Sequence, residues 1–428
     1  MGIILVLLFI GLIAFGVPIA YTLGIVSFVG IASLDTIPNM VVFTKMFNGL
    51  NSFTLLAVPL FILSANLMNS GAITRKLIDV CIALIGHIRG GLAHANILIS
   101  MIFAGISGSS QADTAGIGKI LIPAMEEEGY DKETSVGVTA ASSTLGSIIP
   151  PSILMVVYSG IASVSTGALF LTGIIPGILI GLAMMSVVAV IAKKRNFPKE
   201  PRVPIKIALK KVLGSFPALL TPIILIGGIV TGVFTPTESA AFACLYAFLI
   251  SFFLYRTLRL KDMPRILMDT MKQSSLSLFA LATASALGEL LSYYRLNELV
   301  KQFFVNIPGG EFVFLAVTIL FLLFIGMFMD AVPAMILFVP IILPSALELG
   351  INPISLGLIV VITLALGLTT PPYGLCLLIA SSISGLTIER SFRGVLPYLL
   401  IAIAVLVILV AFKDLIIMIP AFFFPNMF

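Results

Sequence analysis

The chain has 428 residues, 59% of them hydrophobic and 10% charged, with a mean hydropathy of +1.19, a balance that cannot cover a core with a water-soluble surface. The net charge of +5 comes from Lys and Arg clustered between apolar segments, which marks orientation in a lipid bilayer and excludes a nucleic-acid surface. Cys81, Cys244 and Cys376 stand alone in apolar runs, without the paired spacing of a disulfide framework or a transition-metal site.

Residues 3–34 are nearly all apolar and the first Lys is Lys45, so the segment lacks the basic start of a signal sequence and reads as structure. Gly16 and Pro18 divide it into two short crossings, 3–16 and 18–34. A third crossing, 52–69, leads into an amphipathic stretch with Arg75 and Lys76 that is expected to lie along the interface or to pack as a fixed arm. Residues 92–104 and 114–125 are apolar runs too short for a hydrocarbon core of about 30 Å. With "GISGSSQAD" between them they predict a re-entrant helical hairpin over 92–125. Lys119 is expected to snorkel along its limb, and "EEEGYDKE", 126–133, reads as a solvated loop.

Residues 135–165 form the next crossing, interrupted by "SSTLGSIIPPS". As one helix it would be about 46 Å long at 1.5 Å per residue, so the Pro150–Pro151 break falls near mid-membrane. A crossing at 168–192 ends in the basic segment 193–211. Two helices follow, 213–232 and 236–256, turning at "TPTE"; Glu238 in that turn and Glu289 near a helix end read as topology or packing residues. Then come the basic segment 256–265, a crossing at 274–292 and a second amphipathic stretch with Arg295 and Lys301. A second hairpin, 312–347, surrounds "GMFMDAVPA"; a second broken helix, 355–386, carries "ALGLTTPPYG"; the last crossing is 395–420.

The two halves repeat each other. At a constant offset of 221, Gly105, Pro123, Gly129, Gly146, Pro150, Pro151, Gly173 and Pro176 fall on Gly326, Pro344, Gly350, Gly367, Pro371, Pro372, Gly394 and Pro397. Common apolar composition would match Leu and Ile, whereas these residues set backbone geometry. Both basic segments are expected in the cytoplasm, which leaves an odd number of crossings in each half. The expected architecture is all-α: about ten transmembrane helices plus two re-entrant helical hairpins, in two inverted-topology repeats, 1–211 and 212–428, with both termini outside.

Irregular backbone survives at mid-membrane only where it lines a cavity or is buried in protein. Carbonyls freed at the breaks, beside hydroxyls of Ser107, Ser109, Ser110, Ser142, Ser143, Ser147, Thr369 and Thr370, offer an oxygen cage to a hard cation, although each hydroxyl has the alternative of bonding back to its own helix. Asp113 and Asp330 stand at the hairpin tips, where an ionisable group is a functional candidate by default. Half-helix amino ends favour an anion, so the pattern predicts two cation sites around a central anion site. Asp113, Ser142, Ser143, Pro150, Pro151, Pro371, Pro372 and Tyr373 are the candidates for the anion site.

The stretches "VPLFILSANLMNSGAITRKL", "FAGISGSSQADTAGIGKILIPAMEEEGYDK", "SSTLGSIIPPSILMVVYSGIASVSTGALFLTGIIPG", "GVFTPTESAA" and "LTTPPYGLCLLIASSIS" resemble the large membrane subunit of tripartite ATP-independent periplasmic (TRAP) transporters over essentially the whole chain. The resemblance implies an elevator-type secondary transporter of the ion-transporter superfamily in the bacterial inner membrane, with sodium as coupling ion and no other cofactor. It implies a small four-helix membrane subunit and a periplasmic substrate-binding protein as separate partners, and a small organic acid, of C4-dicarboxylate or sialic acid type, as substrate. The family's sodium sites map onto the first hairpin tip, Ser107, Gly108, Ser109 and Ser110, with Gly146 and Ser147, and onto the second, Gly326 and Asp330, with Gly367, Thr369 and Thr370. Two rivals stand beside this: a standalone sodium- or proton-coupled carboxylate transporter, and an intramembrane serine protease read from "GISG". The protease needs a histidine near its serine, yet His94 precedes Ser107 by 13 residues, about 20 Å along a helix.

Overall fold

In hydrocarbon a backbone N–H or C=O finds no water, so a spanning segment pairs its polar groups within itself and becomes a helix. The computed structural model describes residues 2–34, 37–69, 73–199, 201–294 and 309–425, and every regular element among them is helical. Six described helices are long and apolar enough to cross a membrane, and a seventh span arises if Met40–Leu50 and Phe53–Met68, bent by 64°, count as one. The chain is therefore an all-helical, multi-pass membrane protein with several apolar spans and a bent pair.

The first hairpin consists of Gly91–Ser107 and Ser110–Glu127, of 17 and 18 residues; the second consists of Gly310–Gly326 and Ala331–Glu348, again of 17 and 18. The first interrupted helix runs Lys132–Ser142, tightens into a 3-10 turn at Ser143–Ser147, breaks, and resumes as Ile153–Ala162. Its counterpart runs Pro353–Gly367, breaks, and resumes as Leu375–Ser384. The packing is exchanged between halves. Ile153–Ala162 lies against Ala331–Glu348, and Leu375–Ser384 lies against Ser110–Glu127. Met263–Tyr293 packs on Ile19–Ala32, Met40–Leu50 and Ala57–Asn69, and so forms a wall beside these elements.

The matched glycines divide by task. Gly129 and Gly350 turn the chain at positive φ, 89° and 74°, with open space around them. The others mark close approach: a Cβ on Gly326 would stand 2.9 Å from Gly367 Cα, and one on Gly367 would stand 2.8 Å from Gly326 Cα. Only hydrogen fits between the second hairpin and its broken helix.

Several boundaries differ from the sequence reading. Met40–Leu50 is a helix not expected there, because Lys45 and Asn48 interrupt its apolar run; Lys45 Nζ is paired with Glu289 at 2.8 Å. The crossing read as 274–292 is Met263–Tyr293, since the polar run Lys272–Ser275 remains helical. The second tip is shorter than "GMFMDAVPA": Pro333 is tolerated in a first helical turn, where its missing N–H has no intrahelical partner. The last crossing ends at Ala411 and a separate helix, Asp414–Phe423, follows; Lys413 at this break pairs with Glu311 at 2.7 Å. The first amphipathic stretch is a helix, Ile73–Ile85, with Lys76 Nζ 4.4 Å from the centre of the Tyr255 ring, whereas Arg295 and Lys301 lie outside the described residues.

The run "EEEGYDKE" is more than solvated loop. Glu133 pairs with Arg390, which ties the first broken helix to Ile388–Ala411. Asp131 caps Lys132–Ser142, accepting from Thr134 N–H at 2.8 Å and Thr134 Oγ1 at 3.0 Å, and pairs with Arg195. Burial pushes this carboxyl up, but the bonds from Arg195 and Thr134 outweigh it and hold it below the usual range. A depressed carboxyl contributes stability above its unfolded value of about 4 and loses it as pH falls through the lower folded value. Asp131→Ala is thus expected to cost about 1–2 kcal/mol at neutral pH, as for a lost helix cap. Denaturant unfolding in detergent should show that difference, and it should shrink in acid.

Candidate functional site

Both hairpin tips and both helix breaks meet at one cavity of about 410 Å³. Four helices begin at its wall: Ser109, Gln111, Ile153, Asp330, Ala331 and Leu375 line it and belong to the amino ends of Ser110–Glu127, Ile153–Ala162, Ala331–Glu348 and Leu375–Ser384. Three of these ends are capped by side chains. Ser109 Oγ accepts from Ala112 N–H at 3.4 Å, Ser152 Oγ from Met155 N–H at 3.3 Å, and Asp330 Oδ1 from Ala331 N–H at 2.8 Å. Each helix start carries roughly half a positive charge, so the wall favours an anion although no Lys or Arg lines it among the described residues.

The breaks are stitched to the tips through the backbone. Ile153 N–H donates to Gly108 O at 3.1 Å, and Tyr373 N–H donates to Met327 O at 2.9 Å. The Pro150–Pro151 and Pro371–Pro372 peptide bonds are both cis.

The first tip gathers oxygen donors. Asp113 is completely buried; Ser107 Oγ donates to its Oδ1, whereas Oδ2 has no hydrogen-bond partner among the described residues and faces Gly146, where a Cβ would collide with it. Ser110 and Ser147 share a hydroxyl bond of 2.7 Å, and Ser110 Oγ also reaches Thr144 O at 3.3 Å. A carboxylate, hydroxyls and a carbonyl form an all-oxygen set of the kind that hard cations take. At the second tip Asp330 is half-buried and receives Gln111 Nε2 on Oδ1 at 2.8 Å. Thr369 and Thr370 turn their hydroxyls back to Leu366 O and Gly367 O, both at 2.7 Å.

Of the residues singled out in the sequence, Ser107, Gly108, Ser109, Ser147 and Asp330 line the cavity. Asp113, Ser142 and Ser143 lie behind its wall: Ser142 bonds Ser100 Oγ at 2.9 Å and Ser143 donates to Thr139 O at 2.7 Å. The four break prolines and Tyr373 are likewise outside the lining, and Tyr373 is 42% exposed. Four polar residues not singled out do line it: Asn66, Gln111, Gln273 and Ser277. Asn66 Nδ2 donates to Thr270 Oγ1 at 3.0 Å, joining two helices of the opposite wall. For Asn66 and Ser277 the signal was an amide or hydroxyl inside an apolar segment, which hydrocarbon tolerates only against protein or cavity, whereas Gln111 and Gln273 stand in polar stretches that gave none.

Ser107 is bonded to Asp113, while His94 Nδ1 is bonded to Gly90 O at 3.0 Å at the far end of the same limb, so no histidine activates that serine. Discontinuous membrane helices whose ends meet at a polar cavity are the arrangement of secondary transporters. Residues 6–415 match the family described as "Tripartite ATP-independent periplasmic transporter, DctM component", and the chain belongs to that family. It is 38% identical over 364 residues to the C4-dicarboxylate TRAP transporter large permease protein DctM of Pseudomonas aeruginosa, covering 85% of each chain. It is 34% identical over 414 residues to the sialic acid TRAP transporter large permease protein SiaM of Vibrio cholerae, covering 97% of each. Among solved structures, the crystal structure of the YdaH transporter of Alcanivorax borkumensis superposes with a TM-score of 0.61 at 16% identity, covering 86% of this chain and 87% of that one, a likeness of fold.

Proposed function

We propose that this chain is the large membrane subunit of a sodium-coupled uptake system for a small organic acid. The acid is handed over by a periplasmic binding protein, and a small four-helix membrane subunit completes the complex in the bacterial inner membrane. The observation that carries this reading is a cavity at which four helix amino ends stand beside one carboxylate, Asp330. The helix ends favour an acid, Asp330 opposes it, and a bound cation removes the opposition. Binding of the acid and of the cation then assist one another. The cavity falls within the range of about 300–1,000 Å³ usual for small-molecule sites. Asn66, Gln273 and Ser277 offer the acid hydroxyl and amide partners. Relatives named for C4-dicarboxylates and for sialic acid support a small carboxylate as cargo.

In this reading the halves 1–211 and 212–428 are inverted repeats with ten crossings and both termini in the periplasm, and the hairpins and broken helices move as an elevator past the wall formed by Met263–Tyr293. Sodium binds at Ser107, Gly108, Ser109, Ser110, Gly146 and Ser147, and at Gly326, Asp330, Gly367, Thr369 and Thr370. One net charge entering down 100 mV supplies about 2.3 kcal/mol, enough for about 40-fold accumulation before any sodium gradient is counted. The test is uptake of labelled C4-dicarboxylate and sialic acid into proteoliposomes holding this chain and its small subunit. Uptake of one acid is expected only with inward sodium and the matching binding protein together. Equal uptake when both are omitted would contradict the reading.

A further inference from the structure

The two acids at the hairpin tips are joined by an unbroken path of hydrogen bonds, and one side chain carries it between the halves. Asp113 is bonded to Ser107 Oγ, which accepts from Ser109 N–H at 3.3 Å. Ser109 Oγ donates to Gln111 Oε1 at 3.1 Å, and Gln111 Nε2 donates to Asp330 Oδ1 at 2.8 Å. Ser109 and Asp330 are the residues that cap the second limbs of the two hairpins, and they match at the offset of 221, so the Gln111 amide bridges equivalent positions. The residue matching Gln111 itself is Val332, which has no amide to offer in return. Among the described residues no other side-chain hydrogen bond joins the two tips.

The amide is held one way round. With Oε1 taking the Ser109 hydroxyl, Nε2 faces the carboxylate; the reverse would set two oxygens against each other. Gln111 Nε2 and Ala331 N–H both occupy Oδ1, and neither occupies Oδ2.

We infer that Gln111 is a positioning residue for the coupling cation: it fixes the Asp330 carboxylate with Oδ2 available to a cation and links the two tips, so that a cation at one is felt at the other. This rests on the sodium-coupled reading above. A hydrogen bond to a charged group is strong enough for its loss to weaken cation binding about tenfold. Because the bridge passes through one side chain, its loss also separates the two sites.

The test titrates sodium on the complex of this chain with its small subunit, comparing wild type with Gln111→Leu and Gln111→Asn. Two readouts are used: thermal stabilisation of the purified complex by sodium alone, and initial uptake of the acid in proteoliposomes with the binding protein. Gln111→Leu is expected to raise the sodium half-saturation about tenfold and to bring the Hill coefficient towards 1, with the change falling on these more than on the maximal rate. Gln111→Asn, one methylene shorter, cannot reach both partners and is expected to shift the same way; it decides the matter should the leucine variant fail to fold. Sodium curves unchanged in both variants, or a loss confined to maximal rate, would overturn the inference while the sodium-coupled reading stands. A wild type indifferent to sodium would remove both.

Discussion

Asp330→Asn is expected to lower sodium-driven uptake about a hundredfold or more while leaving the protein folded. Asparagine keeps an oxygen to cap Ala331–Glu348 and to accept from Gln111, so the tip retains its hydrogen bonds. What it loses is the negative charge. Removing one partner of a desolvated charge pair costs about 3–5 kcal/mol, and each 1.4 kcal/mol is tenfold in affinity. With no carboxylate to hold it the cation leaves the site, and with no charge opposing the acid its binding no longer depends on the cation, so the sodium gradient ceases to drive entry. Initial uptake rates at saturating acid measure the effect, and elution of the variant as a single species in detergent checks the fold. Uptake close to wild type would remove Asp330 from the cation site.

The second large effect is on stability. Gly326 and Gly367 meet backbone to backbone, and a Cβ on Gly367 would stand 2.8 Å from Gly326 Cα and 3.2 Å from Gly326 C. These are main-chain atoms of two helices, so neither can swing aside. Gly367→Val must therefore part the second hairpin from its broken helix, at a cost of about 3 kcal/mol or more from overpacking. The same movement displaces Met327, whose carbonyl accepts from Tyr373 N–H. The variant is expected to melt at a clearly lower temperature and to transport nothing measurable. A variant as stable and active as wild type would mean that the two helices separate freely at this crossing.

Much of this architecture is written in residues that constrain the backbone. Pro150–Pro151 and Pro371–Pro372 mark both breaks because proline has no N–H and bars the helix before it, and both interruptions stand where the sequence places them. The matched glycines are legible for a related reason, since close approach at Gly326 and Gly367 excludes every side chain. Limb lengths were less legible, because apolarity stops at "GISGSSQAD" while the helix does not: Ser110–Glu127 begins with Ser110, Asp113 and Thr114, polar residues that are buried in protein. Met40–Leu50 and the polar start of Met263–Tyr293 went unread because Lys45 and Asn48, and the run Lys272–Ser275, break the apolar pattern that marks a span, although both stretches stay helical with largely exposed faces. Gln111 sits inside a quoted motif, yet its importance depends on a partner 219 residues away, which no local pattern announces.

The acid is expected to cross only in company with sodium bound where the broken helices meet the hairpin tips. Simultaneous measurement of labelled sodium and labelled acid entering the same proteoliposomes tests it most directly, with wild type and Asp330→Asn side by side in the presence of the binding protein. The expected result is a fixed ratio of sodium to acid in the wild type, each flux vanishing without the other solute, and the loss of both in the variant. Accumulation of acid with no accompanying sodium would contradict it.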